Sequence, residues 1–152
     1  MQIVLLALEA NMLEQLILKV QNLEDLFACE AIQYRLELDQ DWQTLDGLFQ
    51  HDPLLKEVFH PIHPLTQQSI HHAKVHYNTV VRVCDVYEAL NNVELNALIQ
   101  AQTPNALDEQ ENVLASIRLG FNQLQSFYYH AADQNLVIVA IQGEQLFATS
   151  YF

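Results

Sequence analysis

Apolar and polar positions follow one rhythm near the two ends of the chain and another between them. Residues 2–8, Gln-Ile-Val-Leu-Leu-Ala-Leu, are almost unbroken in aliphatics, and so is Leu136-Val-Ile-Val-Ala-Ile141. Short apolar runs of this kind suit strands covered on both faces. Between them, apolar residues recur every three or four positions, the period of a helix with one buried side. Met12, Leu13, Leu16, Ile17 and Val20 form such a stripe after Asn11. Leu23, Leu26 and Phe27 form another after Asn22, with Asp25 at the capping-box position. The single tryptophan opens a third: Trp42, Leu45, Leu48 and Phe49 follow the acidic N-cap candidate Asp39.

Further along, Asp52-Pro53 opens a short helix that buries Leu54, Leu55, Val58 and Phe59. Val80, Val83, Cys84, Tyr87 and Leu90 predict a helix capped by Asn78 or Thr79 and running to about Asn91. Leu95, Leu98 and Ile99 predict a shorter one, and Thr103-Pro104-Asn105 breaks it. The longest helix is expected over about residues 108–132, with Val113, Leu114, Ile117, Phe121, Leu124, Phe127 and Tyr128 inward. Asp108-Glu-Gln-Glu111 suits its positive end, and Gly120 marks either a break or a close helix contact. Tyr34–Leu38 and Lys74–Tyr77 read as short strands, and a turn at 142–144 returns Leu146–Tyr151 beside the apolar strand. Residues 60–76, with two prolines and five histidines, read as a loop or edge segment. No linker or repeat divides the chain. The expectation is a helix-rich α+β single domain over residues 1–152, with a small sheet formed by the N-terminal strand and the C-terminal strands.

Composition adds one strong constraint. Nineteen Asp and Glu against six Lys and Arg leave a net charge of −13, with 51% apolar and 16% charged residues overall. A chain this apolar buries a real core, and one this acidic repels nucleic acid and anionic membrane. It attracts a basic partner, or is simply soluble. Cys29 and Cys84 each sit in an apolar helical pattern and read as buried reduced thiols. The apolar N-terminus lacks a basic leader region and is stopped by Glu9, so it reads as a strand of a cytoplasmic protein.

Candidate chemistry is sparse. His60, His63, His71, His72 and His76 crowd one segment, and imidazoles bind zinc, copper and nickel. His72 and His76 have i, i+4 spacing, but Tyr77-Asn-Thr after them implies a strand entering a helix, which separates such a pair. Three glycines leave little room for a nucleophile elbow or a phosphate-cradling loop, and no motif calls for a cofactor. Carboxylates pair as Glu24 with Asp25, Asp39 with Asp41 and Glu109 with Glu111. Such pairs serve as solvated helix starts or as a rim for basic side chains. Phe121, Phe127, Tyr128 and Tyr129 with His130 exceed what one buried stripe needs, leaving Tyr129 partly exposed, as the edge of the core first and as an interface anchor second.

Three blocks together resemble the YfbM-like family of bacterial proteins of unknown function. Leu38-Asp-Gln-Asp-Trp-Gln-Thr-Leu45 resembles that family's Leu-Asp-Lys-x-Trp-x-x-Leu-His signature. Asp52-Pro-Leu54 with Val75-His-Tyr-Asn-Thr-Val80 is the second block, and Phe121–Ala132 with its following strand the third. The likeness spans most of residues 1–142. Three places depart from it: Asp46 stands where the family has histidine, Gln50-His51 where it has Thr-Gly, and His60-Pro61 where it has a glycine pair. If the family positions line a pocket, this chain has altered it. The resemblance implies an α+β fold without an assigned activity. In size, charge and habit, such proteins resemble those that accompany bacterial toxins as immunity partners.

The functional expectation is therefore a non-enzymatic acidic binding protein, of the immunity or antitoxin type, that neutralises a basic toxin by direct contact. Its candidate contacts are Asp39, Asp41, Trp42, Asp46, Glu109, Glu111 and Tyr129, with the histidine segment beside them. One alternative is a small-ligand or metal-binding protein or enzyme using residues 60–76, with His71, His72 and His76 as ligands. Another is a structural or regulatory homo-oligomer joined at the terminal sheet edge.

Overall fold

The computed structural model describes residues 1–19, 27–38, 42–65, 73–102, 111–144 and 146. Its centre is an antiparallel sheet of five strands: β1 (Gln2–Glu9), β2 (Ile32–Leu38), β3 (His63–Pro64), β4 (Lys74–Asn78) and β5 (Leu136–Gly143), in the order β2-β1-β5-β4-β3. The two apolar end strands are neighbours, with Leu5 opposite Ala140 and Ala7 opposite Ile138. Pairing the most aliphatic runs at the centre leaves the mixed strand β2 and the short β3 at the edges, where half-polar sequences are tolerated.

Because side chains alternate along a strand, β1 feeds two separate cores. Ile3, Leu5 and Ala7 face a large core built with α2 (Trp42–Phe49), α3 (Val80–Asn91), α4 (Leu95–Gln102) and α5 (Glu111–Asp133). Val4, Leu6 and Leu8 face a smaller one with Leu13 of α1 (Ala10–Lys19), Leu65, Val75 and Val139. All six of these β1 side chains are fully buried. The result is an α+β fold richer in helix than in strand, as the periodicity predicts. The sheet is larger than its two ends alone would make it, since β2, β4 and β3 extend it on both sides.

Most helical stripes match their sequence patterns. Trp42, Leu45, Leu48 and Phe49 are the buried side of α2. Leu114, Ile117, Phe121, Leu124, Phe127 and Tyr128, joined by Ala131, are that of α5. Gly120 neither breaks α5 nor sits against another helix, for a β-carbon there would meet nothing within 4 Å. The end of α5 is fixed by Asn135, whose φ of 56° is the left-handed turn that asparagine tolerates after a helix.

Three expectations need correction. The Asp52-Pro53 segment forms only a short 3-10 turn at Leu55–Glu57, in which Glu57 is buried and Leu54 is not. Asp52 starts the turn by accepting the N–H groups of Leu54 and Leu55 at 2.8 and 3.0 Å. In α3 the buried side is Val83, Val86 and Leu90, with Cys84 and Tyr87 at its margin. Both cysteines are free thiols but only half-buried, and Cys29 precedes β2 outside any helix. The Asn22 helix, the Thr103 breaker and the returning strand beyond Leu146 lie outside the described residues.

Candidate functional site

After α2 the chain crosses the sheet-facing core and emerges at His60, held by side chains from three other elements. Tyr128 of α5 donates its hydroxyl to Val58 O at 2.8 Å, and Gln142 of β5 donates to Phe59 O at 3.0 Å. Asn78, at the end of β4, accepts the Ile62 N–H at 3.0 Å. The same asparagine donates to Glu57 at 3.1 Å, and Arg82 of α3 grips that carboxylate with Nε at 2.8 Å and with its terminal nitrogen. Glu57 is only 4% exposed. A buried carboxylate without partners is very costly, so this fork of donors is what permits it there. The contact to Glu57 also raises the pKa of Arg82 above its usual value.

His60 sits at the mouth of this framework with both ring nitrogens engaged. Nε2 lies 2.7 Å from Asp46 Oδ2, and Nδ1 lies 3.1 Å from Gln142 Nε2. Because the Gln142 amide nitrogen is also committed to Phe59 O, it is the donor, and Nδ1 is the acceptor. The remaining proton then belongs on Nε2, facing Asp46. Gln50 supports Asp46 from one turn away, donating to its Oδ1 at 2.8 Å. Both ring nitrogens of His60 are thereby committed to protein partners.

Two clefts share His60 as a wall. One, of about 200 Å³, is lined by Phe59, His60, Pro61, Lys74, His76, Ala140 and Gln142. The other, of about 460 Å³, is lined by Gln50, Pro53, Lys56, Glu57, His60, Ile62 and Arg82. Lys56, Lys74 and Arg82 are half of all the lysines and arginines in the chain, whereas Glu57 is the sole lining carboxylate among the described residues. This corner is thus a basic concavity in an acidic protein. Burial, then the charge of Lys74, then His60, lower the pKa of His76.

A different surface lies along the far end of α5. Tyr129 is 48% exposed and meets Tyr87 of α3 edge-on, with ring centres 5.9 Å apart. His130 packs edge-on against Tyr129 and stacks at 5.1 Å on Tyr34 of β2. Gln134 donates to the Tyr34 hydroxyl, closing an aromatic ridge across the helix. The exposed Asp133 lies one turn beyond Tyr129 on the same helix.

The structure sorts the sequence candidates accordingly. Trp42 is 4% exposed: its ring meets Phe59 and its N–H donates to Met1 O at 2.9 Å, so it anchors the core and presents no contact surface. Asp46 turns toward His60 and away from an outer rim. Glu111 and Tyr129 are both exposed, about five turns or roughly 27 Å apart on one side of α5. Asp39, Asp41, Glu109, His71 and His72 lie outside the described residues. His76 is in strand β4, as the residues after it imply. Among the described residues, no group of three His, Cys, Asp or Glu side chains is placed to hold a metal ion. Glu57, Arg82, Lys74 and Gln142 escaped the sequence reading, because residues this far apart carry no spacing signal.

The arrangement is an α+β fold, a five-stranded antiparallel sheet packed against helices, with a basic corner at His60 and an aromatic ridge on α5. Residues 1–141 match the family described as Domain of unknown function (DUF1877), and the chain belongs to it. It is similar in fold to a solved structure, a protein of unknown function, YfbM, from Escherichia coli. The TM-score is 0.71 at 17% sequence identity, over 93% of this chain and 99% of that one. No curated protein matches the chain. No described helix is long and apolar enough to cross a membrane.

Proposed function

We propose that this is a non-enzymatic binding protein of the cytoplasm that recognises a basic protein partner, in the manner of an immunity protein neutralising a cognate toxin. The observation that carries this reading is Tyr129, nearly half exposed on a ridge that Tyr87 and His130 hold in place. Large aromatics fixed in this way are favoured interface anchors, because little side-chain freedom is lost on binding. The net charge of −13, with Asp133 one turn beyond Tyr129 and Glu111 further along the same helix, complements a basic surface. The fully engaged ring of His60 is a further reason to read binding ahead of catalysis.

The test is affinity capture of the tagged full chain from its native host at low and moderate salt, with the neighbouring open reading frame co-expressed in parallel. The expected result is one near-stoichiometric basic protein, toxic when expressed alone. Its affinity should fall with salt and fall further with Tyr129→Ala. Absence of any such partner under both conditions, or binding indifferent to Tyr129→Ala, overturns the reading.

A further inference from the structure

The smaller cleft beside His60 has a floor and walls that differ from the rest of this acidic surface. In β4, Lys74 lies opposite Gln142 and His76 opposite Ala140, so both strands present these four residues to one side of the sheet. Phe59, His60 and Pro61 close the cleft. Among the described residues, no carboxylate lines it. Among the described residues, Lys74 has no ion-pair partner and the His76 ring makes no hydrogen bond. Gln142 and His60 are bonded to each other and to Phe59 O and Asp46, so they form fixed walls.

We propose that this cleft binds a compact oxyanion, phosphate or the phosphate group of a small phosphomonoester, held by Lys74 and His76. A lysine supplies three donors and a full positive charge, and a protonated imidazole supplies a second charged donor. The field that now disfavours a proton on His76 comes in part from Lys74 and His60, and a dianion between them reverses that field. Size sets the ligand class. At about 200 Å³ the cleft is below the roughly 300–1,000 Å³ of sites for larger organic ligands. It suits a phosphate with a few waters, at about 30 Å³ for each water. Across His60, Lys56 and Arg82 add positive charge that Glu57 only partly offsets. This site is separate from the aromatic ridge and does not depend on the protein partner.

The experiment is an NMR titration of the full chain with inorganic phosphate, with glycerol 3-phosphate and with chloride, at constant ionic strength. Saturable shifts confined to residues 59–61, 74–76 and 140–142 are expected for the two phosphates and not for chloride. Tighter binding of glycerol 3-phosphate identifies the phosphomonoester as the ligand, and equal binding identifies the free oxyanion. Lys74→Met and His76→Gln should each weaken phosphate binding by about tenfold or more, the usual effect of losing a charged hydrogen bond. Lys56→Met, in the neighbouring cleft, should change it less than about twofold. Lys74 is exposed, so its variant keeps the fold. Shifts that never saturate, or a loss with Lys56→Met equal to that with Lys74→Met, overturn the site, because diffuse attraction gives that pattern.

Discussion

His60 Nε2 stands 2.7 Å from Asp46 Oδ2, so two positions at which the chain departs from the pattern of the family it resembles are bonded to each other. Gln50, a third departure, completes the unit by donating to the same carboxylate at 2.8 Å. Each residue supplies what another needs: the carboxylate gives the imidazole an acceptor, and the glutamine amide satisfies the second carboxylate oxygen. Gln142 fills the remaining imidazole nitrogen and ties the unit to β5. Asp46, Gln50 and His60 therefore occupy one place in the fold, at the wall between the two clefts.

The Glu57–Arg82 pair behind that wall is predicted to matter more for stability than any other ion pair among the described residues. Arg82→Ala leaves a carboxylate that is 4% exposed with only Asn78 as donor. Breaking a buried pair from one side costs about 3–5 kcal/mol. The arginine side chain is itself about one-third exposed, which lets water compensate in part. The expected loss is therefore about 2–3 kcal/mol, read as a lower urea midpoint. By contrast, Arg35→Ala, which removes the surface contact to Glu37, should cost less than about 1 kcal/mol. Equal losses in the two variants would falsify the distinction.

The same pair shows where legibility in the sequence ends. The end strands, the tryptophan helix and the stripe of α5 were readable because their signal is local: a period of two or 3.6, or an aliphatic run. That the two end strands share one sheet was readable from their aliphatic runs, whereas their antiparallel pairing as direct neighbours is shown by the structure. Glu57 and Arg82, or Lys74 and Gln142, meet only because the sheet places β4 beside β5 and α3 follows β4. No periodicity carries that information. Trp42 shows the opposite failure. Its prominence in the sequence suggested a contact residue, yet a large aromatic on a short helix is most useful inside, where it meets Phe59. Tyr129 escaped that fate because Tyr128, its neighbour, turns into the core.

Gly120 is predicted to be a site of gain. It lies within the continuous helix α5, its φ is not positive, and an added β-carbon meets nothing within 4 Å. Glycine in a helix interior costs roughly 0.5–1 kcal/mol relative to alanine, chiefly through the freedom of the unfolded chain. Gly120→Ala should therefore raise the urea midpoint by that amount without changing the slope of the transition. A neutral or destabilised variant would mean that this turn of α5 needs glycine for a reason other than space.

Alkaline stability is predicted to depend on Tyr128. Its phenol is fully buried, and burial first, then the charge of Glu57, raise its pKa above the usual value of 10. The neutral form is the folded one, so the contribution is complete below pH 10 and is lost as pH rises beyond it. Comparing urea unfolding at about pH 8 and about pH 11 in the protein and in Tyr128→Phe isolates this group, since every other ionisable group is common to the two proteins. The variant should be weaker by about 1–2 kcal/mol near neutrality, because Val58 O loses its donor. It should also lose less stability on the way to the higher pH. Parallel losses in the two proteins would rule out Tyr128 as the cause.

Mild acid is predicted to weaken the fold through His76. Its pKa lies below the usual 6.5 because burial, then Lys74 on its own strand, then His60 from across the cleft, oppose a second ring proton. The unfolded chain has no such opposition and takes up that proton first. Stability from this group is therefore complete above about pH 6.5 and is lost as pH falls through the lower folded value. His76→Gln removes the titration and keeps a polar side chain of similar reach, so its stability should fall less between about pH 7.5 and about pH 5. Phosphate offers an independent check on the sign. If an oxyanion occupies the cleft, it favours the protonated ring, and saturating phosphate should flatten the acid loss in the parent protein while leaving His76→Gln unchanged. An acid profile identical in the protein and the variant, with and without phosphate, would show that His76 is protonated as readily in the fold as outside it.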